Sequence, residues 1–221
     1  MAVHYATNKT AAQEVVSTIE AAGGKAFAIQ ADLSKGAGVA DLWRAFDANV
    51  QTHAGRSGLD ILVNNAGKGL SRTIQDTEEA DFDHVVGLNL RAPFFITREA
   101  LSRIRDNGRI VFISSTRTRR AEPLSVVYAP AKAGVQALAL VLAQQLGPRG
   151  ITVNAVLPGA TATDGNPRAS DPVAAKQKAL EIALGRVGQP DDVADVVAFL
   201  ASHEGRWVTG QSIDASGGQL L

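Results

Sequence analysis

The chain has 221 residues, with 22 Lys plus Arg against 22 Asp plus Glu, so its formal net charge is zero. That balance supplies no global field towards nucleic acid or an anionic membrane, and the absence of cysteine removes disulfides, thiolate metal sites and cysteine nucleophiles. The four histidines, His4, His53, His84 and His203, lack ligand spacing, so no metal site is expected. No apolar run approaches a membrane span and nothing at the start reads as a signal peptide. A soluble cytoplasmic protein is expected, with residues 1–221 forming one α/β domain large enough to bury a sizeable core.

In chain order, Thr10 to Ala22 carries apolar residues at helical spacing and Lys25 to Ala31 reads as a strand. Leu59 to Asn65 is a second strand, Phe82 to Ile104 a long amphipathic helix, and Gly108 to Ser114 a third strand. A helix over Ala129 to Leu146, a strand over Gly150 to Pro158, a helix over Pro190 to Ala201 and a strand over Gly210 to Ala215 follow. The strands are near-continuously apolar and alternate with helices, which predicts a doubly wound parallel sheet covered on both faces. Gly159 to Gln189 has no clear strand, is rich in Gly, Pro, Ser and Ala, and reads as a mobile flap with an internal helix.

Ligands of such folds lie beyond the carboxyl ends of the strands. There the sequence places Asp32, "NNAG" (Asn64 to Gly67), Ser114 and Ser115, and "PGATAT" (Pro158 to Thr163). Tyr128 and Lys132 in "YAPAK" are four residues apart, which stacks them on one helix face. Each has a plainer explanation alone: a surface tyrosine and a solvated lysine, a turn-capping serine, an Asp32 that only closes a turn. Their convergence on one sheet edge favours a site.

Taken together, "ADLS", "NNAG", "LNL", "ISS", "YAPAK", "GITVNAVLPG", "GRVGQPDDVA" and "VTGQSIDASGG" resemble, in order, the signatures of the short-chain dehydrogenase/reductase family along essentially the whole chain. The resemblance implies a Rossmann-like fold and an NAD(P)-dependent oxidoreductase that interconverts a ketone and a secondary alcohol. It implies a catalytic tetrad of Asn89, Ser115, Tyr128 and Lys132, with Ser115 preferred to Ser114 because it precedes the tyrosine by the usual family separation. Tyr128 would be the acid and Ser115 the second donor to the carbonyl oxygen. A lysine ammonium one turn away is expected to lower the tyrosine pKa. Lys132 would also bind the nicotinamide ribose, and Asn89 would hold a proton-relaying water. Cofactor contacts implied in the same way are Asp32 and the backbone of Leu33 at adenine, Asn65 at the adenosine ribose, and Thr161 at the carboxamide.

The amino terminus departs from that family. Its members open with a strand, a T-G-x-x-x-G-x-G turn and a helix, and this chain begins instead with residues that resemble the second strand, its helix and the third strand. The expectation is therefore an N-terminally truncated domain whose first strand is central, leaving two facing strand edges. The sheet is expected to close by re-pairing, to take a strand from another chain, or to hold Met1 to Asp32 loosely. NADPH binding is expected to be weak and turnover impaired. No acidic residue follows "VHY" before Glu14, while Thr7, Asn8 and Lys9 could meet a 2′-phosphate, so NADP(H) is favoured over NAD(H). A homodimer or homotetramer through the helices Asn89 to Ile104 and Ala129 to Leu146 is expected, with a small ketone or secondary alcohol as substrate. The run Thr116 to Arg120, "TRTRR", is either a solvated turn or an attractor for an anionic substrate. A catalytically silent subunit acting through oligomeric packing, or a remodelled fragment, is the alternative.

Overall fold

The computed structural model describes residues 1–166, 169 and 171–220. Two parallel sheets carry the chain. β1 (Ala2–Tyr5) pairs only with β2 (Phe27–Gln30), and β3 (Leu59–Asn64), β4 (Ile104–Ile113), β5 (Thr152–Pro158) and β6 (Ser212–Ala215) form the second sheet in that order. Among the described residues the edges of β1 and β3 pair with no third strand, so of the three outcomes expected at that gap, closure by re-pairing is not seen.

Among the described residues the helices are α1 (Lys9–Ala21), α2 (Gly38–Ala54), α3 (Glu79–Val86), α4 (Ala92–Ala100), α5 (Tyr128–Leu146), α6 (Pro172–Ala179) and α7 (Pro190–Ala201). Residue alternation along β4 sets two faces: Ile110 and Phe112 pack under α5, while Val111 and Ile113 pack under α7. The two sheets share one apolar layer. Phe27 and Ile29 of β2 meet Trp43 and Phe46 of α2 and Ile96 of α4, and the same cluster takes in Leu59 and Leu62 of β3. The opposite face of β3 has no such cover, leaving Ile61 46% and Val63 40% exposed. No helix among the described residues is long and apolar enough to cross a membrane.

Three sequence expectations are corrected. The helix expected over Phe82 to Ile104 is broken: α3 gives way to a π-helical turn at Gly87–Arg91, α4 ends at Ala100, and Ile104 opens β4. The strand begins four residues before Gly108 because Leu59 pairs with Ile104 while Ile61 pairs with Arg109. Asn107, at a left-handed φ of 62°, absorbs the extra chain between those pairs. The helix α2 was not among the expected elements, although Val39, Trp43, Phe46 and Val50 recur at helical spacing and are buried. Within Gly159 to Gln189 the expected internal helix is α6, and Thr161 makes a bridge to Gly188; Pro167, Arg168 and Ser170 lie outside the described residues.

Candidate active site

The site is assembled at the carboxyl end of the four-stranded sheet. Tyr128 is the first residue of α5, where Pro130 is tolerated because first-turn N–H groups have no intrahelical acceptor. Lys132 follows one turn later and is only 4% exposed. Its Nζ donates to the carbonyl oxygen of Ile113 at 2.7 Å, across the end of β4. Burial lowers its pKa to about 8.

The adjacent serines separate into two tasks. Ser114 Oγ donates to the Lys132 carbonyl at 2.9 Å and accepts from Gln136 Nε2 at 2.8 Å, so it is consumed in fastening β4 to α5. Ser115 Oγ instead accepts the Arg117 backbone N–H at 3.2 Å, which leaves its own proton for a partner on the Tyr128 side. Ser115 lies beside the Tyr128 hydroxyl and favours its ionised form. The structure therefore gives a physical reason for Ser115 over Ser114.

The expected effect of Lys132 on Tyr128 is corrected. Burial pushes the Tyr128 hydroxyl above its ordinary value, and the groups that pull it back are the Arg117 guanidinium and Ser115, not the lysine. Lys132 is turned to the Ile113 carbonyl, 5.8 Å from the Tyr128 ring centre.

Asn89 lies in the π-helical turn and is wholly buried. Its Nδ2 donates to the carbonyls of Val85 (2.9 Å) and Lys68 (3.0 Å), and its Oδ1 accepts the Lys68 N–H at 3.3 Å. Such wide turns mark places where the regular helical ladder yields to another demand. Here the demand is the strand exit after β3, which the asparagine clasps from both sides. Gly67 sits in that exit: a Cβ there would lie 2.7 Å from Asn89 Oδ1 and 3.0 Å from Lys132 Nζ, so a larger residue would have to push one of these two groups aside.

The residues expected at the far end of a dinucleotide lie apart from this cluster. Asp32 is engaged locally: its Oδ1 accepts the Ser34 hydroxyl at 2.6 Å and the Ser34 N–H at 3.1 Å, and Lys35 stands 3.2 Å from Oδ2. These bonds hold its carboxyl below the usual range. It lines an open cleft of about 490 Å³ at the ends of β1 and β2, together with Ala6, Gln30 and Arg44. The Leu33 side chain is in the core, leaving its backbone for any contact, and Asn65 is exposed while Asn64 is buried on Thr97. Thr161 Oγ1 donates to Gly159 O, and its carbonyl accepts from Asn166 Nδ2. Asn8 is the N-cap of α1, accepting the Ala11 N–H at 3.0 Å, whereas Thr7 and Lys9 are exposed.

The donor set suits the ribose end of a nicotinamide cofactor. The Lys132 ammonium has three protons and, among the described residues, donates one to the Ile113 carbonyl, in a buried place with no carboxylate paired to it. At the start of α1 the Asn8 side chain, not a ligand, accepts the Ala11 N–H.

The sequence profile described as Enoyl-(Acyl carrier protein) reductase matches residues 1–219. An uncharacterized oxidoreductase of Methylorubrum extorquens is 42% identical over 218 residues, spanning 98% of this chain and 86% of that protein. A hydroxynaphthalene reductase-like protein, Arp2, of Metarhizium brunneum is 37% identical over 233 residues, spanning 100% of this chain and 85% of that protein. Among solved structures, the angucycline C-6 ketoreductase LanV with bound NADP superposes with a TM-score of 0.95 at 42% identity, covering all of this chain and 85% of LanV. The reductase LugOII, which catalyses keto-reduction at C1 during lugdunomycin biosynthesis, gives 0.95 at 42% identity, covering all of this chain and 87% of its own.

Proposed function

The chain belongs to the short-chain dehydrogenase/reductase family, and we propose that it reduces a ketone to a secondary alcohol with NADPH. The observation that carries this reading is the placement of Ser115, Tyr128 and Lys132 together at the end of β4 and the start of α5, with Ser114 spent elsewhere. The bound cofactor supplies the hydride. Ser115 donates to the substrate oxygen as negative charge grows there, and Tyr128 gives it a proton. A tyrosine hydroxyl is protonated at neutral pH, the form an acid must hold before reduction, and burial shifts Tyr128 further towards that form. Lys132 holds the nicotinamide ribose hydroxyls and returns a proton to Tyr128. Asn89 fixes the Gly67–Lys68 backbone beside Lys132, and a water between them completes the relay.

The ketoreductase neighbours, one of them crystallised with NADP, support the choice of substrate class and cofactor. In this reading Lys9 would meet a 2′-phosphate, Asp32 and the Leu33 backbone adenine, Asn65 the adenosine ribose, and the Thr161 backbone the carboxamide. NADPH is held weakly, because α1 begins with a capped turn and because β1 and β3 leave the adenine and nicotinamide contacts on separate sheets. Two copies associate through α4 and α5, whose Phe94, Leu140 and Val141 are exposed apolar side chains.

The test is NADPH-driven reduction of α-tetralone, followed by loss of NADPH and by appearance of the alcohol. Tyr128→Phe is expected to lower kcat/KM by roughly 10²–10⁴ while NADPH affinity is little changed. Equal turnover by mutant and parent removes Tyr128 from the chemistry.

A further inference from the structure

Ser115 is followed by three arginines, and the structure treats them differently. Arg119 stands 3.7 Å from Asp214 and donates to the Ser212 carbonyl at 2.8 Å, and Arg120 stands 3.8 Å from Glu122. Arg117 has no carboxylate partner among the described residues. Its Nη1 donates to Ser125 Oγ at 3.0 Å, and Ser125 is buried in the loop that leads into α5. That bond holds the guanidinium over the Tyr128 ring, 5.8 Å from its centre. The same residue's backbone N–H orients the Ser115 hydroxyl. One arginine thus touches both proton donors of the carbonyl site.

A guanidinium carries five donors in a planar fork that matches an oxyanion. Among the described residues the Arg117 guanidinium makes one hydrogen bond, to a neutral hydroxyl, and it is half-buried, so its charge is incompletely solvated. A cation left without a counter-ion beside a reacting carbonyl is a recognition element for a charge the substrate brings.

Resting on the reductase reading above, we propose that Arg117 is the specificity-determining residue of this site and that it selects ketones bearing an acidic oxygen, a carboxylate or a phenolate, next to the reacting carbonyl. The carbonyl oxygen lies between Ser115 and Tyr128, and the acidic oxygen turns to the guanidinium. Arg117 is not the proton donor; it fixes which face and which end of the ketone reach Tyr128.

The experiment compares matched pairs: phenylglyoxylate with its methyl ester, and 2-hydroxy-5-nitroacetophenone, whose phenol ionises near neutral pH, with its methyl ether. Each is reduced with NADPH by the parent, Arg117→Gln, Arg117→Lys and Arg119→Gln. The quantity read is the ratio of kcat/KM within each pair. The parent is expected to prefer the acidic member at least tenfold in one pair; a preference in the first pair assigns a carboxylate, in the second a phenolate. Arg117→Gln is expected to abolish that ratio, Arg117→Lys to retain part of it, and Arg119→Gln to leave it in place. No preference in the parent, or an equal loss in Arg117→Gln and Arg119→Gln, overturns the proposal. Binding is read separately by calorimetry with naphthoate and naphthamide, using the parent and Arg117→Gln. If no ketone is turned over, the reductase reading fails while this titration still decides Arg117: a naphthoate preference lost in Arg117→Gln supports it, and equal binding of the two probes overturns it.

Discussion

The two sheets make an instructive contrast. β5, in the middle of the larger sheet, is buried at six of its seven positions, and α5 and α7 close over opposite faces of its neighbour β4. β1 has no fully buried residue, β3 is uncovered along one face, and β1 and β2 lean on α1 and on the shared layer of α2 and α4. Ser115, Tyr128, Lys132 and Asn89 all belong to the larger sheet and its helices. Asp32, Leu33 and the Thr7–Lys9 turn belong to the smaller one. On the proposed reading, chemistry is housed in the more deeply buried sheet, and the adenine end of the cofactor beside the one whose β1 is only half-buried.

The contrast breaks if stability is spread evenly. Leu157→Ala, at a wholly buried site in β5, is expected to cost about 2–5 kcal/mol in a urea titration. Val3→Ala in half-buried β1 is expected to cost less than ~1 kcal/mol, since far less apolar area leaves water. Equal losses at the two sites would show that the sheets unfold as one.

Lys132 sharpens the contrast, because it places a charge in the better-packed half. Burial takes its pKa from 10.5 to about 8, so between those values the unfolded chain binds the proton that the folded one has shed. Stability is expected to rise with pH across that window, by up to about 3.4 kcal/mol, with the cost fully present below pH 8. In Lys132→Met the rise should disappear when unfolding is followed across the same pH range. Retention of the slope would assign it to another group.

A smaller effect is expected at the start of α1. Asn8→Ala removes the cap on Ala11 N and should cost about 1 kcal/mol, read as faster amide exchange across Lys9–Ala21 with little change in α5. If protection in α5 falls equally, the two halves are coupled more tightly than their packing indicates.

Much of the better-packed half was legible in the sequence. Apolar strands ending in polar residues located β3, β4 and β5, and the four-residue spacing of Tyr128 and Lys132 put them on one face of α5. What escaped were features set by tertiary demand. The π-helical turn around Asn89 exists because its side chain must reach Lys68, and periodicity alone carries that helix through to Ile104. The early start of β4 depends on a left-handed Asn107, which no apolar pattern announces. The turn of Lys132 towards the Ile113 carbonyl, and of Arg117 towards Tyr128, depends on loops that pack only in three dimensions. The "TRTRR" run did signal a concentration of charge, but not that one of its arginines would lack a carboxylate among the described residues.

The most direct test of the division between a fixed chemical site and a loosely held cofactor end is a fluorescence titration of the 221-residue chain with NADPH, with turnover of α-tetralone followed in the same samples. The expected result is a shallow binding curve without a stoichiometric break, with turnover that climbs in step with NADPH and is lost in Tyr128→Phe. Tight stoichiometric binding with steady turnover at equimolar NADPH would contradict it, and would show that the smaller sheet grips the cofactor as firmly as the larger one holds the catalytic groups.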